Sequence, residues 1–96
     1  MDHYRDRAKR LHDAIHEILI KDWDPIGVSD VIEAQDEYDS YVPGIYRRLI
    51  ARSLEVEIFD YLWEIETVHM GLRGNRCHTE NIAKKLCQLI ILDLLV

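Results

Sequence analysis

Two histidines four positions apart are the first residues of this sequence whose spacing could support chemistry. His12 and His16 would share one face of a helix, where two imidazoles can bind the same metal ion. The zinc-protease form of this spacing, H-E-x-x-H, has a glutamate directly after the first histidine, whereas Asp13 follows His12 here. No third ligand stands at a matching spacing. We therefore interpret both as surface histidines and predict neither a metal nor another cofactor.

Carboxylates and loops offer a second kind of chemistry. The acidic runs at 22–24 and 36–39 could bind a hard cation, but they lack the regular alternation and the central glycine of a calcium loop. No serine stands in a nucleophile elbow, and the loop at 71–76 matches neither common phosphate-binding pattern. We therefore predict that the chain is not an enzyme.

The charges are distributed unevenly along the 96 residues. The chain has 18 Asp and Glu against 12 Lys and Arg, a formal net charge of −6, and residues 22–42 contain seven acids and no Lys or Arg. A surface of one sign attracts a cationic partner and raises the rate of association. Binding to nucleic acid requires instead a clustered basic surface. The sequence therefore predicts a basic protein partner and no direct contact with nucleic acid.

Aromatic residues lie among these acids, and aromatic side chains are enriched at the centres of protein interfaces. One alternative is that 22–42 is an ordinary solvated face whose aromatics belong to the protein's own core. Under the binding interpretation, the predicted contact residues are the acids of this region and two of its tyrosines: Asp22, Asp30, Glu33, Asp36, Glu37, Tyr38, Asp39 and Tyr41.

Four helices are predicted to position these residues. Apolar residues recur at steps of three and four, which predicts helices over roughly 3–22, 36–51, 54–70 and 79–94. The Pro43-Gly44 pair leaves open whether the second helix is kinked, or begins at Pro43 after a separate turn at 36–41. Ser53 and Thr79 are the predicted N-caps of the last two helices. The pattern predicts a compact all-α bundle that forms a single domain over 1–96.

The fourth predicted helix is apolar around most of its circumference, which favours a central position or cover by a second copy of the chain. Its apolar run, 86–96, is too short to span a bilayer and contains Asp93. The N-terminus has no apolar run typical of a signal peptide. We therefore expect a cytoplasmic protein that has no membrane contact and whose Cys77 and Cys87 are free thiols.

Two sequence motifs resemble those of a group of small, all-helical bacterial proteins. W-D-P-I-G at 23–27 is followed by D-E-Y-D-S-Y at 36–41, and M-G-L at 70–72 ends the matching region, which begins near residue 15. Some members of this group are similar to immunity proteins of contact-dependent growth inhibition systems, which bind and neutralise a toxic nuclease domain. The resemblance implies the same function here. A nuclease needs a basic cleft to hold its substrate, and this agrees with the predicted basic partner.

Three questions stay open at this level. The chain could instead be a homodimer with a housekeeping role, joined through its fourth helix, or a weak metal-binding protein that uses His12 and His16. The motif residues could also be structural rather than partner-facing. In that case Trp23 would pack on the core, Asp24 and Pro25 would shape a turn, and Asp36 would cap the next helix.

Overall fold

The structure of the chain, a computed structural model, describes residues 3–95 and the side chains of residues 5–91. Over this part of the chain the secondary structure is helical and contains no strand. The four α-helices are α1 (His3–Glu17), α2 (Val42–Ile50), α3 (Glu55–Glu64) and α4 (Arg76–Leu95). The predicted all-α bundle of four helices is therefore confirmed.

Two of the helices, α1 and α3, continue into wider π-helical turns. These turns are Ile18–Trp23 after α1 and Ile65–His69 after α3. Each ends with a hydrogen bond between residues five apart: Asp24 N donates to Leu19 O over 2.9 Å, and Met70 N donates to Ile65 O over 2.8 Å. Helical turns of this kind are rare and frequently lie at functional sites. Here both turns end beside loops that carry the sequence motifs.

The second predicted helix is shorter than expected. Residues 24–41 form a loop that contains two short 3-10 turns, Ile32–Ala34 and Asp39–Tyr41. Helix α2 begins only at Val42, with Pro43 in its first turn, where a missing N–H costs no helical hydrogen bond. The prediction of one helix over 36–51 is therefore wrong, and the alternative of a separate turn before Pro43 holds to within one residue.

Both predicted N-caps differ from the structure. Helix α4 begins at Arg76, three residues before Thr79, and Asn75 is its cap because Asn75 Oδ1 accepts the N–H of His78 over 3.1 Å. At the start of α3 the cap position is Leu54, whose N–H donates to the Glu57 carboxylate over 2.7 Å. Because Asn75 is the cap, the hydroxyl of Thr79 is available for a buried hydrogen bond, which is described below.

One hydrophobic core joins the four helices. Helix α4 contacts each of the other three and packs most extensively against α3, in agreement with its predicted central position. Ile91 of α4 is nevertheless 56% exposed, and the side chains of Leu94 and Leu95 lie outside the described part of the chain. A homodimer through this end of α4 therefore stays a prediction. The core residues are Leu11, Ile15, Ile18, Leu19, Ile20, Trp23, Tyr38, Val42, Ile45, Leu49, Ile58, Phe59, Leu62, Ile65, Ile82, Ala83 and Leu86.

Candidate protein-binding surface

The acidic loop, residues 24–41, connects the π-helical turn after α1 to α2 and contains no lysine or arginine. Its backbone forms a series of tight turns. Val31 N donates to Val28 O over 3.0 Å, Ala34 N to Val31 O over 3.0 Å, and Glu37 N to Ala34 O over 3.1 Å. The loop therefore has an ordered backbone although it contains no α-helix or strand.

Asp24 ties the beginning of the acidic loop to its end. Its backbone is left-handed, with φ 35° and ψ 57°, and turns the chain away from the preceding helical turn. Its carboxylate accepts hydrogen bonds from Val28 N at 2.7 Å, Ser29 N at 3.1 Å and the Tyr38 hydroxyl at 2.8 Å. The Tyr38 hydroxyl in turn accepts the N–H of Ile26 over 3.2 Å. Two side chains thus close the loop.

The pKa values of these two groups are shifted in directions that suit this contact. Burial acts to raise the pKa of the Asp24 carboxyl, but the hydrogen bonds from Val28, Tyr38 and Ser29 oppose burial, and the pKa lies below its usual value. Burial raises the pKa of Tyr38, and the Asp24 carboxylate raises it further. At neutral pH the carboxylate is therefore ionised and the phenol protonated.

Gln35 orders the middle of the acidic loop. Its side-chain amide donates to the backbone oxygens of Ser29 and Val31, both over 2.9 Å. The loop is thus held at its ends by Asp24 and Tyr38 and at its centre by Gln35. A segment that is ordered before binding loses less conformational entropy when a partner docks.

Four of the predicted contact residues are exposed carboxylates that form no ion pair with any described side chain. They are Asp30, Glu33, Asp36 and Glu37. None of the ion pairs among the described side chains, those of residues 5–91, includes any of them. Because these four charges lie within eight residues of sequence and none of the described side chains neutralises them, their field is available to a cationic surface.

Two other predicted contact residues are paired within the chain. Lys85 Nζ lies 2.6 Å from the Asp22 carboxylate, and His16 Nδ1 lies 2.6 Å from Asp39 Oδ1. Both pairs are partly exposed, so the two carboxylates are reachable, but a partner would have to compete with Lys85 and His16 for them. Among the described side chains of this region, the carboxylates that form no ion pair therefore lie at residues 30–37.

The aromatic residues of this region face inward. Tyr38 is 1% exposed and packs beside Trp23, with 5.7 Å between the ring centroids. The expectation that Tyr38 anchors a partner is therefore wrong, because its ring belongs to the core and its hydroxyl is bound to Asp24. Tyr41 is half-buried and packs against the same core, which leaves only part of its ring accessible.

Two apolar residues on this surface were not expected from the sequence. Ile32 is 83% exposed and Val31 is 42% exposed, and both lie between Asp30 and Glu33. Helical periodicity identifies apolar residues that face a core, so it carries no information about an apolar residue that a turn leaves in solvent. The only signal was an apolar pair flanked by acids in a stretch without clear periodicity.

The W-D-P-I-G motif also joins a buried polar contact outside the loop. Glu66, only 4% exposed, accepts hydrogen bonds from Trp23 Nε1 at 3.3 Å, Thr79 Oγ1 at 2.5 Å and Asn75 N at 2.8 Å. These bonds connect the two π-helical turns to the start of α4. Trp23, Asp24 and Tyr38 therefore hold the fold together, whereas residues 30–33 between the motifs, and Asp36 and Glu37 at the start of the second motif, are exposed.

His12 and His16 each contact a different side chain. The His12 ring lies 4.3 Å from that of Tyr46, and His16 contacts Asp39. Among the described residues, no group of three or more His, Cys, Asp or Glu is arranged to hold a metal ion. The weak metal-binding alternative stays a prediction. Cys77 is exposed and Cys87 half-buried, and both are free thiols.

Comparison with known proteins returned no relative: no protein-family model, no curated protein and no solved structure matches the chain. Within residues 3–95, no helix has both the length and the hydrophobicity that crossing a membrane requires. The surface of residues 30–37, with its exposed carboxylates and apolar pair, is the best-defined candidate site of the described structure.

Proposed function

We propose that this chain is an immunity protein that binds and neutralises the toxin domain of a contact-dependent growth inhibition system, and that the toxin is a nuclease. The observation that carries the proposal is the group of four exposed carboxylates on the ordered acidic loop, none of which is paired with a described side chain. The resemblance of the W-D-P-I-G and D-E-Y-D-S-Y motifs to those of immunity-like proteins supports this class of partner.

Charge complementarity and the need for fast association both favour a nuclease as the partner of the acidic loop. A nuclease must bind phosphate groups, so its cleft carries lysine and arginine, and an acidic loop is complementary to it. An immunity protein must also bind before the toxin acts. Unneutralised charge of the opposite sign raises the association rate, which typically lies at about 10⁵–10⁷ M⁻¹s⁻¹ without steering.

The test uses the basic C-terminal toxin domain that we expect to be encoded beside the gene of this chain. Growth is measured when the toxin is expressed with the chain, and affinity is measured by calorimetry with an inactive toxin variant. The loop variant removes the four charges with little change in shape, through Asp30→Asn, Glu33→Gln, Asp36→Asn and Glu37→Gln. We expect it to bind at least about tenfold more weakly and to lose protection.

A matched control variant removes four exposed carboxylates elsewhere, through Asp6→Asn, Glu55→Gln, Asp60→Asn and Glu64→Gln. It changes the net charge of −6 by the same amount as the loop variant, so it isolates the position of the charges from their number. We expect it to bind more tightly than the loop variant and to protect cells. The proposal is refuted if the unmodified chain neither binds the toxin nor protects, or if both variants weaken binding equally.

A further inference from the structure

Ile32 is the most exposed large apolar residue among the described side chains. It lies in the 3-10 turn Ile32–Ala34, beside the partly exposed Val31. Because so little of its side chain is removed from water, Ile32 contributes little to folding. The fold therefore gives no reason for an isoleucine at this position, where an acidic or polar residue would serve equally well.

The position of Ile32 is fixed by the backbone around it. Ala34 N donates to Val31 O over 3.0 Å, and the Gln35 side-chain amide donates to the same oxygen over 2.9 Å. Asp24 and Tyr38 hold the ends of the loop. An apolar side chain on such an ordered turn can dock without first ordering the backbone, and this is a property of interface residues that contribute strongly to affinity.

The charges around Ile32 identify the chemistry of its partner. Asp30 precedes the apolar pair and Glu33 follows it, and both carboxylates are exposed and unpaired among the described residues. An acidic or uncharged apolar partner would leave these charges desolvated without compensation. A surface that receives Ile32 must therefore combine an apolar pocket with lysine or arginine at its rim.

We infer, on the basis of the function proposed above, that Ile32 inserts into an apolar pocket of the basic toxin domain, with Val31 at the pocket's edge. The carboxylates contact lysine and arginine around that pocket. The two kinds of residue then have separable effects. The carboxylates govern the association rate and its salt dependence, and Ile32 governs the dissociation rate, because burial of apolar surface is not screened by salt.

The test compares Ile32→Ala with Ile50→Ala in binding kinetics to the inactive toxin domain at several salt concentrations. Ile50 is 51% exposed at the end of α2, so the second variant makes the same chemical change outside the acidic loop. We expect Ile32→Ala to dissociate about tenfold faster, equivalent to about 1.4 kcal/mol, with an unchanged association rate and salt dependence. Ile50→Ala should behave as the unmodified chain does.

Each contrary outcome has a distinct meaning. If the unmodified chain binds the toxin and Ile32→Ala dissociates at the same rate, the role of Ile32 is wrong while the immunity function stands. If the unmodified chain does not bind, both proposals fail. A marked fall in the melting temperature of Ile32→Ala would also overturn the inference, because Ile32 would then be a packing residue.

Discussion

The hydrogen bond between Tyr38 and Asp24 can be removed by deleting a single oxygen atom, the hydroxyl oxygen of Tyr38. Tyr38→Phe keeps the buried ring and leaves no cavity in the core. It removes the hydroxyl that donates to Asp24 over 2.8 Å and accepts the N–H of Ile26 over 3.2 Å. The two ends of the acidic loop are then joined by packing alone, so the substitution tests whether this contact orders the loop.

The expected cost follows from the kind of bond that is lost. A hydrogen bond to a charged group contributes about 1.5–3 kcal/mol to stability. Ile26 is exposed, so water can replace the hydroxyl as acceptor for its N–H, and we assign no further cost to that group. We therefore expect Tyr38→Phe to lower the free energy of unfolding by about 2 kcal/mol.

The same contact gives stability a dependence on pH with a defined sign. Because the pKa of Asp24 is lower in the folded state, its hydrogen bonds stabilise the fold above the unfolded-state pKa. This stabilisation is lost as the pH falls through the folded-state pKa. Tyr38→Phe removes one of the donors that lower the pKa of Asp24, so the variant should lose less stability than the unmodified chain when the solution is acidified.

The assay is urea denaturation of the unmodified chain, Tyr38→Phe and Tyr41→Phe, at neutral pH and near pH 3, with hydrogen exchange at the loop amides. Tyr41 is the matched control, because it belongs to the same loop and its hydroxyl makes no hydrogen bond among the described residues. We expect Tyr41→Phe to change stability by no more than about 0.5 kcal/mol. Equal stability of the two variants, with equal exchange at Val28 and Ser29, would refute the reasoning.

Two further substitutions test the buried contacts that support the loop. Glu66→Gln replaces one acceptor oxygen by an amide group, so at least one of the three donors, such as Asn75 N, loses its partner. We expect the free energy of unfolding to fall by about 1–3 kcal/mol in thermal unfolding. An unchanged melting temperature would contradict this. Gly74→Ala should cost about 2 kcal/mol or more, because φ is +84° and a Cβ would lie 2.7 Å from the Trp63 ring. Gly71→Ala, with φ +67° and nothing within 4 Å of its Cβ, is the control and should cost about 1 kcal/mol less; equal losses in urea denaturation would contradict the clash.

The helical fold could be predicted because its apolar periodicity is local. The α-bundle and the approximate positions of its helices follow from residues such as Ile15, Ile58 and Leu62, which recur on one face and are buried. The start of α2 could not be predicted in the same way. Tyr38 and Tyr41 extend the helical spacing of apolar residues to positions before α2. The hydroxyl of Tyr38, however, is hydrogen-bonded to Asp24, 14 residues earlier in the chain.

The candidate site was predicted in part. The concentration of acids at 22–42 is visible in composition, and the exposure of Asp30 and Glu33 agrees with it. Which acids are paired within the chain depends on contacts between distant residues. Lys85 reaches Asp22 across 63 positions, and no local pattern encodes that approach.

The most direct test of the proposed binding surface is to map which residues of the chain contact the toxin domain. The ¹⁵N-labelled chain is titrated with the inactive, unlabelled toxin domain, and the changes in backbone amide signals are assigned to residues. The largest changes should lie at residues 30–37, with smaller ones at Asp22 and Asp39, whose internal partners are displaced. A footprint on α3 or on the end of α4, with the signals of 30–37 unchanged, would contradict the account.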